Sequence, residues 1–274
     1  MVENSNIDTP TIDAAFTYAV DTGEKIVNET LGDGDMGRRR TGVVEDKIMK
    51  VRNARLLRDT FDLETHGFVF VDHPIRMKDF FDADELRSVY YREAEELVKA
   101  QTGATRVHVF DHTLRSGDED TRNEKLVRES VTRVHNDYTE SSGPQRVRDL
   151  FPKEADSLLL KRFSIINVWK PIRVPALKEP LAICDARTIQ KREMIPTDLR
   201  YTNRTGEIYS FRYSPDHRWL YFPTMQTDEA VLLKCYDSSS SGARFTAHTA
   251  VDDPNSPESA PHRQSIEVRT LAFF

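Results

Sequence analysis

From Arg162 to Phe274 the chain alternates between short apolar runs and breaks rich in Pro, Asp, Asn and Ser. The runs are RFSIINVWKPI, PLAICDART, GEIYSFRYSP, RWLYFPTM, EAVLLKCYDS, ARFTAHTAV and SIEVRTLAFF. Their length, their β-branched and aromatic content and the turn residues that close them predict strands. HGFVFVDHP (66–74) and RVHVFDHTLR (106–115) read the same way. One segment has a helical period instead: over 82–102, Leu86, Val89, Tyr90, Ala94, Leu97 and Val98 fall on one face. Asp82 is placed to cap that helix and Gly103 to end it. PQRVRDLFPKEADSLLLKR looks helical on both sides of Pro152, and the charged stretch Ser116 to Glu129 reads as a loop with a short helix.

The first fifty residues are polar. YAVDTGEKIVNET reads as a strand and turn, and LGDGDMGRRRTG, with Gly32, Gly34 and Gly37, as a loop. No Gly-Lys-Ser/Thr follows it, so it is no phosphate-binding loop. Many strands at this spacing, without βαβ alternation, predict a mainly β closed barrel or jelly roll with a helical N-terminal layer. No linker or repeat interrupts 1–274, which reads as one domain, with residues 1–60 an N-terminal extension packed on the barrel.

With 38% hydrophobic residues, 14 Phe and 9 Tyr, a chain of 274 residues can fill one sizeable core. The net charge of −6, mixed along the chain, argues against nucleic acid or an anionic membrane as the main partner. No run approaches the roughly 18 apolar residues of a membrane helix. MVENSNIDTP is too polar to be a signal peptide. Cys184 and Cys235 lie in apolar surroundings and read as buried free thiols of a reducing compartment. The expectation is a soluble cytoplasmic protein.

Candidate chemistry enters with VTRVHNDYTESSG (131–143). As a strand it sends Val131, Arg133, His135 and Asp137 one way and Thr132, Val134, Asn136 and Tyr138 the other. His-x-Asp alone is weak evidence, but an ordered set follows it. His248 lies in ARFTAHTAV, and Arg263 and Ser265 open the last strand. Two imidazoles and one carboxylate on one face of an octahedral ion leave open positions for a bidentate 2-oxo acid and O2, the facial triad of non-haem Fe(II) oxygenases. A planar cation beside a hydroxyl suits the far carboxylate of 2-oxoglutarate. Taken singly, each residue has an ordinary reading: a surface strand His, a core His, a solvated Arg. The order of the set is what points to one chemistry.

The motifs VHNDYTESSGPQRV, RFSIINVWKPI, PLAICDART, LLKCYDS and HTAVDDPNSPESAPHRQSIEVRTLAFF resemble the AsaB-type hydroxylase/desaturase group, which includes gibberellin-desaturase-like and cephamycin-methoxylase-related proteins. The likeness runs from about Phe70 to the C-terminus. It implies a double-stranded β-helix, cupin-like core, Fe(II), 2-oxoglutarate and O2 as cofactor and cosubstrates, and a small-molecule secondary-metabolite substrate. It also implies His135, Asp137 and His248 as metal ligands and Arg263 with Ser265 for 2-oxoglutarate. The first fifty to sixty residues match least, so substrate identity is not inherited. Asp137 stands where related halogenases carry a small residue, which argues against halogenation.

Further residues complete the expected site. Arg269 is an alternative carboxylate anchor. Asn167, on the face shared with Trp169, is placed to hydrogen-bond 2-oxoglutarate or substrate, and Trp169 either walls the pocket or packs the sheet. Trp219 and Tyr221 either line the substrate cavity or fill core. His108 and His112 read as structural or supporting residues, His217 and His262 as solvated, and Tyr138 as facing away from the metal unless the strand bulges. The 116–129 loop is a candidate lid. A homodimer is an expectation by analogy. The competing readings are a metal-dependent cupin-like isomerase or binding protein without 2-oxoglutarate turnover, an oxygenase whose substrate itself chelates iron, and a non-enzymatic β-sandwich.

Overall fold

The computed structural model describes residues 9–30, 38–125, 127–202 and 204–274. The Gly32–Gly37 stretch lies outside them. The strands in chain order are β1 (Thr11–Val20), β2 (Ile26–Thr30), β3 (Arg38–Arg40), β4 (Val43–Asn53), β5 (Phe68–Asp72), β6 (Arg106–Ser116), β7 (His135–Asn136), β8 (Phe163–Pro171), β9 (Leu181–Cys184), β10 (Met194–Tyr201), β11 (Thr205–Phe211), β12 (Trp219–Tyr221), β13 (Glu229–Asp237), β14 (His248–Ala250) and β15 (Gln264–Phe273). They form two sheets. The larger has the order β1-β4-β12-β9-β14-β7-β11-β10-β2-β3, the smaller β5-β13-β8-β15-β6.

The smaller sheet explains the continuous apolar runs. Strands β8 and β13 are buried at every position, because both faces of the sheet are covered. Phe163, Ile165, Leu233, Leu271 and Phe273 face the larger sheet and share a core with Phe16, Phe68, Ile183 and Trp219. Ile166, Val168, Leu232, Ile266 and Val268 face the other way, under a helical layer. That layer is α1 (Ala83–Glu85), a π-helical turn at Leu86–Tyr90 and α2 (Tyr91–Thr102). The Asp82 carboxylate accepts from the backbone N–H groups of Asp84 and Glu85, and Gly103 ends the helix in the left-handed region at φ 72°. Leu86, Tyr90, Ala94 and Val98 are the buried stripe. The short helices α3 (Glu119–Lys125), α4 (Ser142–Leu150) and α5 (Ala155–Leu159) follow where the charged loop and the segment around Pro152 led one to expect them.

The described part of residues 1–60 does more than pack on the barrel. β1 pairs antiparallel with β4 along its whole length, from Thr11–Arg52 to Val20–Val43, and β4 continues the larger sheet through β12. Ile12, Ala14, Phe16 and Tyr18 alternate inward. β10 (MIPTDLRY) and β4 are strands that the sequence reading did not extract. On β4 the solvent-facing positions carry Val44 and Ile48, which obscures the alternation.

Candidate functional site

The 131–138 stretch keeps the predicted parity although only His135 and Asn136 pair as a strand. Val134, Asn136 and Tyr138 are buried in the core, while Arg133, His135 and Asp137 turn to the space between the sheets. Asn136 locks this path: its Nδ2 donates to the carbonyls of Tyr138 and Cys235. Across the sheet His135 stands directly opposite His248 of β14, with ring centroids 4.5 Å apart. One ligand atom from each of His135, Asp137 and His248 lies within 4.8 Å of the others.

Both imidazoles are oriented by the same device. His135 Nδ1 meets the Arg133 carbonyl at 2.9 Å and His248 Nδ1 meets the Thr246 carbonyl at 2.9 Å. Each Nδ1 is therefore a donor, and each Nε2 presents a lone pair to the shared centre. His248 Nε2 is buried with no hydrogen-bond partner, which is expensive unless something else binds it. The Thr246 carbonyl is placed in turn by Thr246 Oγ1 donating to the Gly67 carbonyl at 2.8 Å. Gly67 has φ +82°, and a Cβ there would collide with Thr246 Oγ1.

The carboxylate is fixed from the opposite sheet. Asp137 Oδ2 accepts from Asn167 Nδ2 at 2.8 Å and from Arg269 Nε at 3.0 Å. These two donors are cross-strand partners, Asn167 on β8 and Arg269 on β15. Oδ1 is left 3.5 Å from His135 Nε2. Burial raises the Asp137 pKa, but Arg269 first and the imidazoles next outweigh it and hold the carboxyl below its usual range. Burial, then His248, pushes His135 down to about 3, so its imidazole is neutral. The donor set is two imidazole nitrogens and one carboxylate oxygen, which fits a divalent first-row metal.

Odd-numbered residues of the last strand share the inner face. Arg263 is almost fully buried. Its Nη2 donates to Ser130 Oγ at 2.7 Å, its Nη1 donates to the Glu179 carbonyl, and its guanidinium lies over the Trp169 ring, 5.3 Å from the centroid. Arg263 Nε and Ser265 Oγ are buried without partners. A narrow compartment of about 20 Å³ joins Arg263 and Trp169 to His135 and His248. Beside this cluster, a compartment of about 140 Å³ is bounded by His135, Asp137, Arg115, Arg133 and Ile208. An open cleft of about 700 Å³ reaches Asp137 from the side of Tyr138, Arg146 and Tyr201.

The sequence-predicted residues thus separate into two groups. His135, Asp137, His248, Asn167, Arg263 and Trp169 come together around the space between the sheets. Arg269 also comes there, but its guanidinium is filled by Asp137, Thr113, Asp111 and Glu267, so it has no fork left for a second carboxylate. Asn167 likewise spends its Nδ2 on Asp137. Trp219 and Tyr221 do not line these cavities: both are buried core, Trp219 against Phe16 and donating from Nε1 to Tyr18 Oη at 2.9 Å. The expectation that His217 is solvated is corrected, because it is buried between Tyr18 and Glu193. Tyr138 is buried, yet reaches the rim of the open cleft. His112 bonds Tyr91 Oη and His108 stacks edge-on with Phe151, and neither belongs to the His135–Asp137–His248 cluster. Sequence reasoning missed Arg115, Arg133 and Glu267. Glu267 and Arg115 share strand parity with Arg263 and His112-flanking Thr113, and that parity was the available signal.

The chain matches the family described as oxidoreductase/YMDC permease-like domain over residues 15–273. Among the described residues no helix is long and apolar enough to cross a membrane. The chain is 33% identical over 232 residues to the Fe(II)/2-oxoglutarate-dependent dioxygenase nvfI of Aspergillus novofumigatus, covering 82% of each. It is 32% identical over 288 residues to the hydroxylase/desaturase CTB9 of Cercospora beticola, covering 97% of this chain and 87% of that one. A solved structure of the iron and alpha-ketoglutarate-dependent endoperoxidase NvfI matches with a TM-score of 0.86 at 27% identity, covering 96% of this chain and 98% of that one. The hydroxylase/desaturase resemblance and the jelly-roll expectation are both borne out.

Proposed function

The chain belongs to the Fe(II)/2-oxoglutarate-dependent dioxygenases that these relatives exemplify, and on that premise we propose that it oxidises a C–H bond of a small-molecule intermediate of secondary metabolism. The observation that carries the assignment to particular residues is the convergence of two oriented Nε2 atoms, one of them a buried orphan, on a carboxylate clamped from the facing sheet. His135, Asp137 and His248 are the ligands this set supports. When bound, iron supplies, with 2-oxoglutarate and O2, the oxidising power that breaks the C–H bond, with succinate and CO2 as co-products.

The chain's own residues do the rest. Arg263 and Ser265 are the pair that suits the distal carboxylate of 2-oxoglutarate: Arg263 Nε and Ser265 Oγ are buried without partners, and Arg263 borders the narrow passage that reaches His135 and His248. Asn167 and Arg269 hold Asp137 in place rather than touching the cosubstrate. Trp169 walls the passage, and its ring lies against the Arg263 guanidinium. The open cleft, with Tyr138, Arg146 and Tyr201 on its walls, is the side from which a substrate can approach Asp137 while the bulk of the barrel excludes water. Hydroxylation, desaturation, ring closure and endoperoxide formation are outcomes within this reading, separated by substrate placement.

The test is an anaerobic titration of metal-free protein with Fe(II) and then 2-oxoglutarate, followed by visible absorption. A weak charge-transfer band that needs both is the expected result. Iron binding without the band would favour a cupin-like isomerase or a substrate-chelating enzyme, and absence of iron binding would end the assignment.

A further inference from the structure

We propose that Arg115 is a second cosubstrate cation, holding the end of 2-oxoglutarate that lies against the metal ligands while Arg263 holds the far end; the proposal rests on the function given above. Strand register puts Arg115 there. On β6 it is paired with Ser265 of β15, and cross-strand partners point to one face, so it shares the inner face with Ser265 and its neighbours Arg263 and Glu267. Arg115 and Arg263 bound the same narrow compartment. Only Arg115 of the two also bounds the compartment that contains both His135 and Asp137, so it alone borders the space on each side of His135.

Its hydrogen bonding is incomplete in a way that a built anion site would be. The guanidinium donates from Nη1 to the Glu129 carbonyl at 2.8 Å, and among the described residues no carboxylate pairs with it at ion-pair distance. Burial lowers its pKa to about 10, with Glu267 the largest compensating charge. A guanidinium carried inward without a carboxylate is costly, and a planar fork is the group that best holds a carboxylate oxygen. Arg269, two strand steps away, contrasts with it: its donors are saturated by protein acceptors. Arg115 is therefore an inner-face guanidinium with a backbone carbonyl as its acceptor, and it would be available to the carboxylate of a 2-oxo acid held beside His135 and Asp137.

The experiment uses the full chain, anaerobic and loaded with Fe(II), titrated with 2-oxoglutarate and with pyruvate. Pyruvate keeps the 2-oxo acid end and lacks the distal carboxylate. With Arg115→Gln, both dissociation constants should rise, by about ten- to a hundredfold for loss of a charge-assisted hydrogen bond, while Fe(II) affinity stays within about twofold. With Arg263→Gln, only the 2-oxoglutarate constant should rise. Arg115→Lys, which keeps the charge and loses the fork, should fall between wild type and Arg115→Gln for both ligands. Weakening of 2-oxoglutarate alone in Arg115→Gln overturns the proposal, because Arg115 then belongs with Arg263 at the distal end. Unchanged affinity for both ligands overturns it too. So does a melting temperature of metal-free Arg115→Gln several degrees below wild type, which would mark a structural role. Failure of the wild type to give the band with Fe(II) and 2-oxoglutarate is a different result and refutes the function itself.

Discussion

Asn167 gives the sharpest test of how the site is built. Its sequence position suggests a contact with 2-oxoglutarate, whereas its Nδ2 lies 2.8 Å from Asp137 Oδ2 and it is fully buried. Asn167→Ala removes one hydrogen bond to an ionised acceptor and leaves Arg269 Nε, at 3.0 Å, as the remaining donor to that oxygen. Such a bond contributes about 1.5–3 kcal/mol, equivalent to roughly ten- to a hundredfold in a dissociation constant, and the loss of groups that orient a metal ligand typically weakens metal binding by about the same factor. Fe(II) affinity, measured anaerobically by competition with a chromophoric chelator, should fall by that amount. The 2-oxoglutarate constant at saturating iron should stay within about twofold. Unfolding free energy of the metal-free protein should drop by about 1–3 kcal/mol, since a buried carboxylate loses a partner and a small void opens. Unchanged iron affinity together with a large loss of 2-oxoglutarate affinity would refute this account and restore Asn167 as a cosubstrate ligand.

Ser265→Ala should weaken 2-oxoglutarate by about three- to tenfold, the worth of a neutral hydrogen bond, without destabilising the metal-free protein, because Ser265 Oγ is an unpaired buried hydroxyl; isothermal titration and urea unfolding measure the two, and a large loss of stability would show that the hydroxyl has a structural partner. Trp219→Phe should leave Fe(II) and 2-oxoglutarate binding unchanged yet reduce stability by about 1–3 kcal/mol through loss of the bond to Tyr18 Oη and of ring volume; a changed cosubstrate constant would return Trp219 to the site. His73 is held neutral, burial first and Lys170 next lowering its pKa to about 4. Its folded pKa lies below its unfolded one, so its contribution is complete above about pH 6.5 and is lost as pH falls toward 4, at about 1.4 kcal/mol per pH unit. His73→Gln should flatten stability against pH over that window, and an unaltered slope in denaturant titrations at several pH values would contradict the assignment.

Much of this was readable because two periods in the chain are clean. The strand runs after Arg162 carry their own turn punctuation, and the 82–102 helix carries both caps. The His135 and Asp137 pairing was readable because His-x-Asp needs only strand parity, which survives even though the ladder around His135 is reduced to two residues. What the sequence did not reveal depends on pairing between distant strands. Asn167 and Arg269 look like cosubstrate residues until the β8–β15 register sets them side by side against Asp137. Trp219 and Tyr221 alternate as cavity residues would, but β12 is flanked by β4 and β9, which places Trp219 over Phe16 in the core. His217 sits in a polar stretch that reads as solvated, and only the approach of Tyr18 and Glu193 from elsewhere in the chain buries it.

The division of labour between the sheets explains why the last strand matters more than its length suggests. The imidazoles form a cross-strand pair on the larger sheet, and the donors that fix Asp137 form a cross-strand pair on the smaller one. The centre is therefore complete only when the sheets are closed on each other. On β15 and just before it, Arg263, Ser265, Glu267 and Arg269 occupy successive inward positions, so a single run of alternation delivers the buried Arg263 guanidinium at one end and the clamp on Asp137 at the other. A slip of one residue would turn all four outward under the helical layer, against Val98 and Ala94. The irregularity in β6 opposite Arg269 and Thr270 changes the pairing from Asp111 to Val109. It lets Asp111 and Thr113 both reach the Arg269 guanidinium while Val107 and Val109 still pack under the helix. Register, set by the apolar outer face, is thus what gives the inner face its chemistry.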